Sequence, residues 1–415
     1  MSRAARAFAA LVIVFTLAQA VSLVSRGGRG ESDFGVFYRT CRLLATGIGG
    51  ELYPGLDAVT TWPISLSPTG LAIFQPLASG GPAMAAAGWA AFNLILLGLS
   101  LAALRTVFSE NEPLQRVFVP TALLLLILSS ASIQVGQFSV LFVACWLVAL
   151  RFLATGRYFW TAFFLAIPTA IKLYPILMLA IPLSLTREIR VGIRHAAYFA
   201  LSLIVTCLLV PAAMYGARAW ALNVSFWRNV ILSSDGQVQY MQFPRFGNQS
   251  VDAVLLRYLT YEPDFHDVFV YIPHVALDKA GVVAAANLIR VVIVAITIAT
   301  VWAWRRRASG TFGRQDLVTI AALWSSTLYL LLPETKARYA VYALLGFVPL
   351  LQQATDYGPS VPASTRRRRW TEIVIVAALI LVLLPVPIQA IGVGVLGALG
   401  LWISNLQVVR SSGTP

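Results

Sequence analysis

The sequence predicts an all-α polytopic membrane protein, one bundle of about 12 transmembrane helices with extracytoplasmic loops and interfacial helices. Three observations lead there. Of 415 residues, 58% are hydrophobic and only 12% are charged, where soluble domains carry roughly 25% charge. The apolar residues collect in long runs, and a bilayer core takes ~20 apolar helical residues to cross. The basic residues gather in short clusters between those runs. A membrane β-barrel would instead show alternating segments of roughly ten residues.

Taken in order, the predicted spans are 7–24, 82–104, 117–131, 138–153, 158–171, 174–186, 195–213, 281–304, 316–333, 339–354, 371–388 and 391–408. The first is preceded by Ser2-Arg3 and Arg6 and contains Ala18-Gln19-Ala20. It reads as an uncleaved helix or as a signal peptide with a small-residue cleavage site. Both readings leave the next segment outside. With the N-terminus cytoplasmic, the inner loops hold 18 basic residues against 6 acidic, and the outer segments 12 against 11. That asymmetry is the positive-inside pattern. It accounts for the net charge of +14 without any nucleic-acid partner. Cys41, Cys145 and Cys207 suggest no disulfide framework, and Cys145 and Cys207 sit in apolar runs as small core residues.

The whole chain, 1–415, reads as a single membrane domain with two long extracytoplasmic loops, 25–81 and 214–280. Both are rich in aromatic residues, Pro, Asp and Asn, and long loops of this kind are where function collects. In the first, Phe34, Phe37, Tyr38, Cys41, Leu44 and Ala45 follow helical spacing behind Ser32-Asp33. This predicts a short interfacial helix with its apolar stripe in the headgroup zone and an acceptor side chain at its start.

Four segments carry candidate chemistry. In Glu31-Ser32-Asp33-Phe34 the Asp33 carboxylate stands just past the first helix, placed to take a proton from a reacting hydroxyl; its other reading is a helix cap. In Ala170-Ile171-Lys172-Leu173-Tyr174-Pro175, Lys172 falls between two short apolar runs. An ammonium at membrane depth is costly and therefore a functional suspect, with a lipid phosphate as its natural counter-charge; otherwise it is a snorkelling loop lysine. In Pro333-Glu334-Thr335-Lys336-Ala337-Arg338-Tyr339, two cations and one anion share a tight outer turn. That turn is a phosphate site or an ordinary ion pair. In Phe243-Pro244-Arg245-Phe246-Gly247-Asn248-Gln249-Ser250, the polar residues suit sugar or diphosphate contacts, or make a plain polar loop. Asn248-Gln249-Ser250 and Asn223-Val224-Ser225 also match the short glycosylation sequon. Gly136-Gln137, with Gln134, either lines a cavity or turns the chain. His266 and His274 lie in an acidic outer stretch, and Arg290 is an intramembrane cation able to pair with a carboxylate.

These segments, in this order, resemble glycosyltransferase family 87, membrane mannosyltransferases of the GT-C superfold. The resemblance rests on Asp33-Phe34 with Tyr38, Gly47…Tyr53-Pro54, Ser67-Pro68…Gln75-Pro76-Leu77, Gly136-Gln137, Ile171-Lys172-Leu173-Tyr174-Pro175 and Gly247-Asn248-Gln249-Ser250. It implies a GT-C-type bundle and inverting hexose transfer, mannose foremost, from a polyprenyl-phosphate donor to a lipid or glycan acceptor. Asp33 is the implied base; beside it, the residues themselves suggest Lys172, Arg338 and Lys336 for the donor phosphate and Tyr38, Gln137, Tyr174, Arg245, Asn248, Gln249 and Glu334 for substrate contact. No metal or other cofactor is expected. The expected setting is a bacterial inner membrane, the protein monomeric among membrane lipids, with its site facing the periplasm or exterior. Where the family carries a histidine before the late tyrosine, this chain has Glu334-Thr335-Lys336-Ala337-Arg338-Tyr339, so a histidine-assisted step and the acceptor do not carry over by analogy. The competing class is a polytopic transporter or lipid flippase, which also keeps ionisable residues in its bundle. Against it stand the absence of paired, Gly/Pro-broken halves and the gathering of polar residues at the outer face.

Overall fold

The computed structural model describes residues 3–27, 30, 32–47, 52–53, 55–232, 248–261, 275–308, 312–355, 363–381, 389 and 392–412. Among these the regular structure is helical, apart from one isolated bridge between Leu56 and Pro63. The helices are α1 (Arg3–Gly27), α2 (Asp33–Ala45), α3 (Pro68–Phe74), α4 (Pro82–Phe108), α5 (Glu112–Val135), α6 (Ser139–Ala154), α7 (Tyr158–Ile171) and α8 (Ala180–Ser184). They continue as α9 (Ile189–Tyr215), α10 (Arg218–Phe226), α11 (Val251–Leu259), α12 (Lys279–Arg307), α13 (Arg314–Leu331), α14 (Val348–Thr355), α15 (Ala363–Ile380) and α16 (Val393–Ser411).

Six of these, α1, α4, α5, α9, α12 and α16, are long and apolar enough to cross a membrane. As far as they are described, the other predicted spans are helical but shorter or more polar; residues 382–388 of the span at 371–388 lie outside the described residues. Two are not single α-helices. The run at 174–186 opens as a 3-10 turn, Tyr174–Leu179, before α8, and the run at 339–354 is a 3-10 stretch, Ala337–Phe347, followed by α14. Prolines explain part of this. Pro175 and Pro182 each remove an amide from the ladder, whereas Pro120, Pro168 and Pro211 are absorbed inside α5, α7 and α9.

By contact the chain forms two compact units. The first comprises Met1–Val107, Leu125–Leu179 and Glu188–Tyr240; the second comprises Phe108–Leu124, Ala180–Arg187 and Met241–Pro415. In the first, α7 packs on α6 and α9, and α3 lies against α2, α7 and α9. In the second, α13 is the centre, touching α16, α12 and the 337–347 stretch, with α15 against α14 and α16.

The helix starts follow their capping residues. Ser32, Ser67, Ser250 and Asp278 each accept an amide three positions on, capping α2, α3, α11 and α12. Pro68 fits the first turn of α3, where no intrahelical amide is needed.

Candidate active site

In the first unit, α2 places Asp33 in its first turn, one residue after the Ser32 cap. Asp33 is 7% exposed, so this carboxylate is held within the protein. The predicted stripe is present, but it faces protein and not headgroups. Phe34, Phe37, Cys41 and Leu44 are all buried, and Phe34 and Phe37 pack on Phe74 of α3 at 5.4 and 6.1 Å between ring centroids.

Gly136-Gln137 closes on the same place. Gly136 has φ +74, and a Cβ there would lie 2.5 Å from the Cβ of Phe34. Only glycine combines that backbone with so close an approach. Its carbonyl accepts from Trp89 Nε1 at 3.0 Å, and Phe138 meets Phe37 with centroids 5.4 Å apart. Gln137, between them, is buried. The α5–α6 junction is thus packed against the residue that follows Asp33.

From α3 the packing leads to Lys172. Ser67 Oγ, besides capping α3, donates to the Ala170 carbonyl at 2.7 Å. Lys172 is the residue at which α7 ends, in extended conformation, with its amide still bonded to Pro168 O at 2.9 Å. Its side chain lines a narrow pocket with Ser67, Cys207, Asn223 and Trp227. The Tyr174 ring stands against Phe142, 6.3 Å between centroids. Tyr38 donates its hydroxyl to Gly80 O at 2.9 Å, anchoring α2 to the turn before α4. Five of the sequence candidates, Asp33, Tyr38, Gln137, Lys172 and Tyr174, therefore belong to one unit and are linked through α2, α3 and the 136–138 turn.

An ion pair that sequence reading passed over stiffens the same loop. Arg39 grips Asp57 through Nε and an Nη, each at 2.7 Å, and donates to Gly30 O at 3.0 Å. Burial raises the Asp57 carboxyl, but hydrogen bonds from Arg39 and from the Thr60 amide and hydroxyl outweigh it and hold the group below the usual carboxylate range. Arg39 lies off the apolar stripe, which is the only hint the sequence offers.

The second unit gathers the other candidates. Asn248 Oδ1 accepts the Thr335 amide at 3.0 Å and the Ser250 amide at 3.1 Å. The Gln249 amide returns to Thr335 O at 2.6 Å. Gln249 also reaches Gln389 O at 2.9 Å and takes the Gly394 amide at 3.1 Å. On the turn so held, Glu334 pairs with Lys336 and with Arg338, the latter at 3.2 Å, and accepts from the Tyr339 hydroxyl at 3.3 Å. Arg290 of α12 is paired with Asp252 at the start of α11. Burial pushes the Asp252 carboxyl up, against the pull of Arg290.

Two readings change. Neither sequon is an accessible glycan acceptor: Asn223 is buried and donates to Cys207 O and Ala219 O, and Asn248 is buried in the clasp just described. Arg245, Glu31, His266 and His274 lie outside the described residues.

Residues 67–333 match the model of glycosyltransferase family 87. The matched stretch takes in Gly136-Gln137, Lys172 to Pro175 and Asn248 to Ser250, and leaves Asp33 and the 334–339 turn outside it. No curated protein matches the chain.

Proposed function

From the chain's membership of glycosyltransferase family 87 and its membrane-length apolar helices, which make it a multi-pass membrane glycosyltransferase, we propose an inverting hexosyl transfer with Asp33 as general base. The donor is a polyprenyl-phosphate hexose, mannose foremost, and the acceptor a lipid or glycan hydroxyl. The reaction takes place on the extracytoplasmic face of a bacterial cell membrane. The acceptor O–H gives its proton to Asp33 as its oxygen bonds to the anomeric carbon from the side opposite the phosphate. The carbon–oxygen bond to the phosphate breaks, and the lipid phosphate leaves with the electron pair beside Lys172. Fixed positive charge where negative charge develops is usually the largest catalytic term. Lys336 and Arg338 share the charge of Glu334; the phosphate role is given to Lys172 for its place at the end of α7, beside the narrow pocket it lines.

The observation that carries this reading is the placement of Asp33. A buried carboxylate opens a helix just past a membrane-length helix, and the buried, polar 136–137 turn is packed onto its neighbour. A bare cap does not need that enclosure, because Ser32 already caps α2.

Purified protein given radiolabelled polyprenyl-phosphate sugars and a membrane lipid extract should transfer label to a lipid-soluble or glycan product. Asp33→Asn should lower that transfer at least a hundredfold, within the range of general-base catalysis, with melting temperature near wild type. Substantial transfer by Asp33→Asn removes the base assignment. Movement of intact donor across proteoliposomes without label transfer favours the transporter class.

A further inference from the structure

α12 is membrane-length and ends in three consecutive arginines, Arg305, Arg306 and Arg307. Along it Val291, Ile298 and Trp302 are 63%, 53% and 56% exposed, and Arg306 is exposed one turn beyond Trp302. At 3.6 residues per turn these four fall on one face. Ile293, Thr297, Val301 and Trp304, on the other side, are buried. The exposed face therefore turns away from the protein and runs from aliphatic side chains through an indole to a guanidinium. Ile298 to Arg306 covers roughly 12 Å at 1.5 Å per residue, close to half of a ~30 Å hydrocarbon core. The Arg306 guanidinium lies 3.6 Å over the Trp302 ring, a cation–π contact that holds the charge at the interfacial level where tryptophan collects.

The turn after α8 brings a further cation to the same end. Arg187 donates to Ala308 O, just past α12, and its guanidinium lies 5.0 Å from the centre of the Phe312 ring. Arg305 returns the contact, donating to Thr186 O at 2.5 Å. Each guanidinium is thus fixed by a backbone carbonyl and keeps further donors of its five for another partner. Among the described residues no carboxylate pairs with Arg187, Arg305, Arg306 or Arg307: Glu110 pairs with Arg314, and Asp316 accepts the Gly313 amide.

We propose that this end of α12 is a binding site for an anionic glycerophospholipid, its phosphate held between Arg306 and the Arg187–Arg305 pair and its acyl chains lying along Ile298 and Val291. The argument is charge complementarity joined to an apolar face. Arginine binds phosphate oxygens bidentately, and four cations with no carboxylate among them call for a net negative partner. A zwitterionic headgroup would bring its own ammonium into the cluster and cancel the gain. A dissolved anion would satisfy the arginines and leave Trp302, Ile298 and Val291 uncovered, whereas one lipid covers both. Basic pockets at the cytoplasmic ends of membrane helices are where anionic headgroups lodge, and the charge asymmetry assigns this end to that side. The site is separate from the proposed transfer chemistry and does not rest on it.

The test uses the full chain in phosphatidylcholine nanodiscs containing a phosphatidylglycerol with a diazirine high in one acyl chain. After irradiation, peptide mapping should place the label on 298–306. Unlabelled phosphatidylglycerol should compete, while added phosphatidylcholine and inorganic phosphate should not. Arg306→Gln should cut labelling about fivefold, the weight of one cation near an anionic lipid surface. Arg410→Gln removes the same charge from the exposed last turn of α16 and should leave labelling unchanged. Label scattered over the other membrane-length helices, competition by phosphatidylcholine or inorganic phosphate, an equal loss in Arg410→Gln, or full labelling of a folded Arg306→Gln overturns the proposal. Mapping on unmodified protein decides the matter even where that variant fails to fold. Sugar transfer does not enter the readout, so failure of the transferase reading leaves the lipid site standing, and the reverse.

Discussion

Gly136 and Asp57 show how single residues set the candidate site. Gly136 sits at positive φ with Phe34 closer than any Cβ allows. Gly136→Ala should destabilise the protein by about 2–3 kcal/mol, from backbone strain together with the clash. A lowered melting temperature in detergent checks this. Transfer should fall further than melting does, because the displaced residue adjoins Asp33. Asp57 makes a pH-dependent contribution. Its folded pKa lies below the ordinary value near 3.9, so its stabilisation is complete above that ordinary value and drains away as pH drops through the folded pKa. Asp57→Asn should flatten the acid limb of the stability profile while leaving the neutral-pH unfolding free energy lower by roughly 2 kcal/mol, the scale of hydrogen bonds to a charged group. The sequence marked Gly136-Gln137 as a polar break, but its positive φ is a property of the turn. Asp57 was not legible, because its partner lies 18 positions away across an irregular loop with no periodicity to read.

Among the elements, α3 matters more than its seven residues suggest. One hydroxyl, on Ser67, both caps it and ties it to Ala170, beside Lys172. Ser67→Ala should cost about 1–2 kcal/mol, as a lost cap plus a bond to a buried carbonyl, and should raise KM for the donor more than it lowers kcat. Equal KM in variant and wild type would detach α3 from donor binding. The helical spacing of Phe34, Phe37, Cys41 and Leu44 was readable because amphipathic periodicity survives in sequence. What covers that face was not readable, since lipid and protein interiors select the same side chains. The same degeneracy hid the 3-10 stretches at 174–179 and 337–347. Apolar composition gives burial there, while the hydrogen-bond register is decided by tertiary packing.

At the scale of the whole molecule, the charge asymmetry predicts an orientation, and several contacts join segments that it assigns to the same side. Glu110 pairs with Arg314, Arg187 donates to Ala308 O, and Arg305 donates to Thr186 O, all between segments assigned to the inside. Tyr53 O, assigned to the outside, accepts from Asn229 and Ser225 of the other outer loop. Asp278→Cys in intact cells should react with a membrane-impermeant maleimide, and Arg307→Cys only after permeabilisation. The opposite pattern would turn the candidate site to the cytoplasm.

The bond between Asn248 and the Thr335 amide, described above as part of a clasp, is also a counting rule. Two groups in hydrogen bond share one side of the bilayer, so the chain between them crosses an even number of times. If α12 crosses, as its length and apolarity allow, a return crossing is needed between Asn248 and Thr335. Among the described residues α13 is the helix available, 18 residues or about 27 Å long, nearly the thickness of the hydrocarbon core. α13 is not one of the six helices that length and hydropathy single out. Arg314, Gln315 and Asp316 at its start lower its mean hydropathy, and its serines and threonines Thr319, Ser325, Ser326 and Thr327 are buried against protein. A helix sheathed by its neighbours can afford polarity that a lipid-facing one cannot. Hydropathy alone does not single out α13, the helix to which this hydrogen bond points among the described residues.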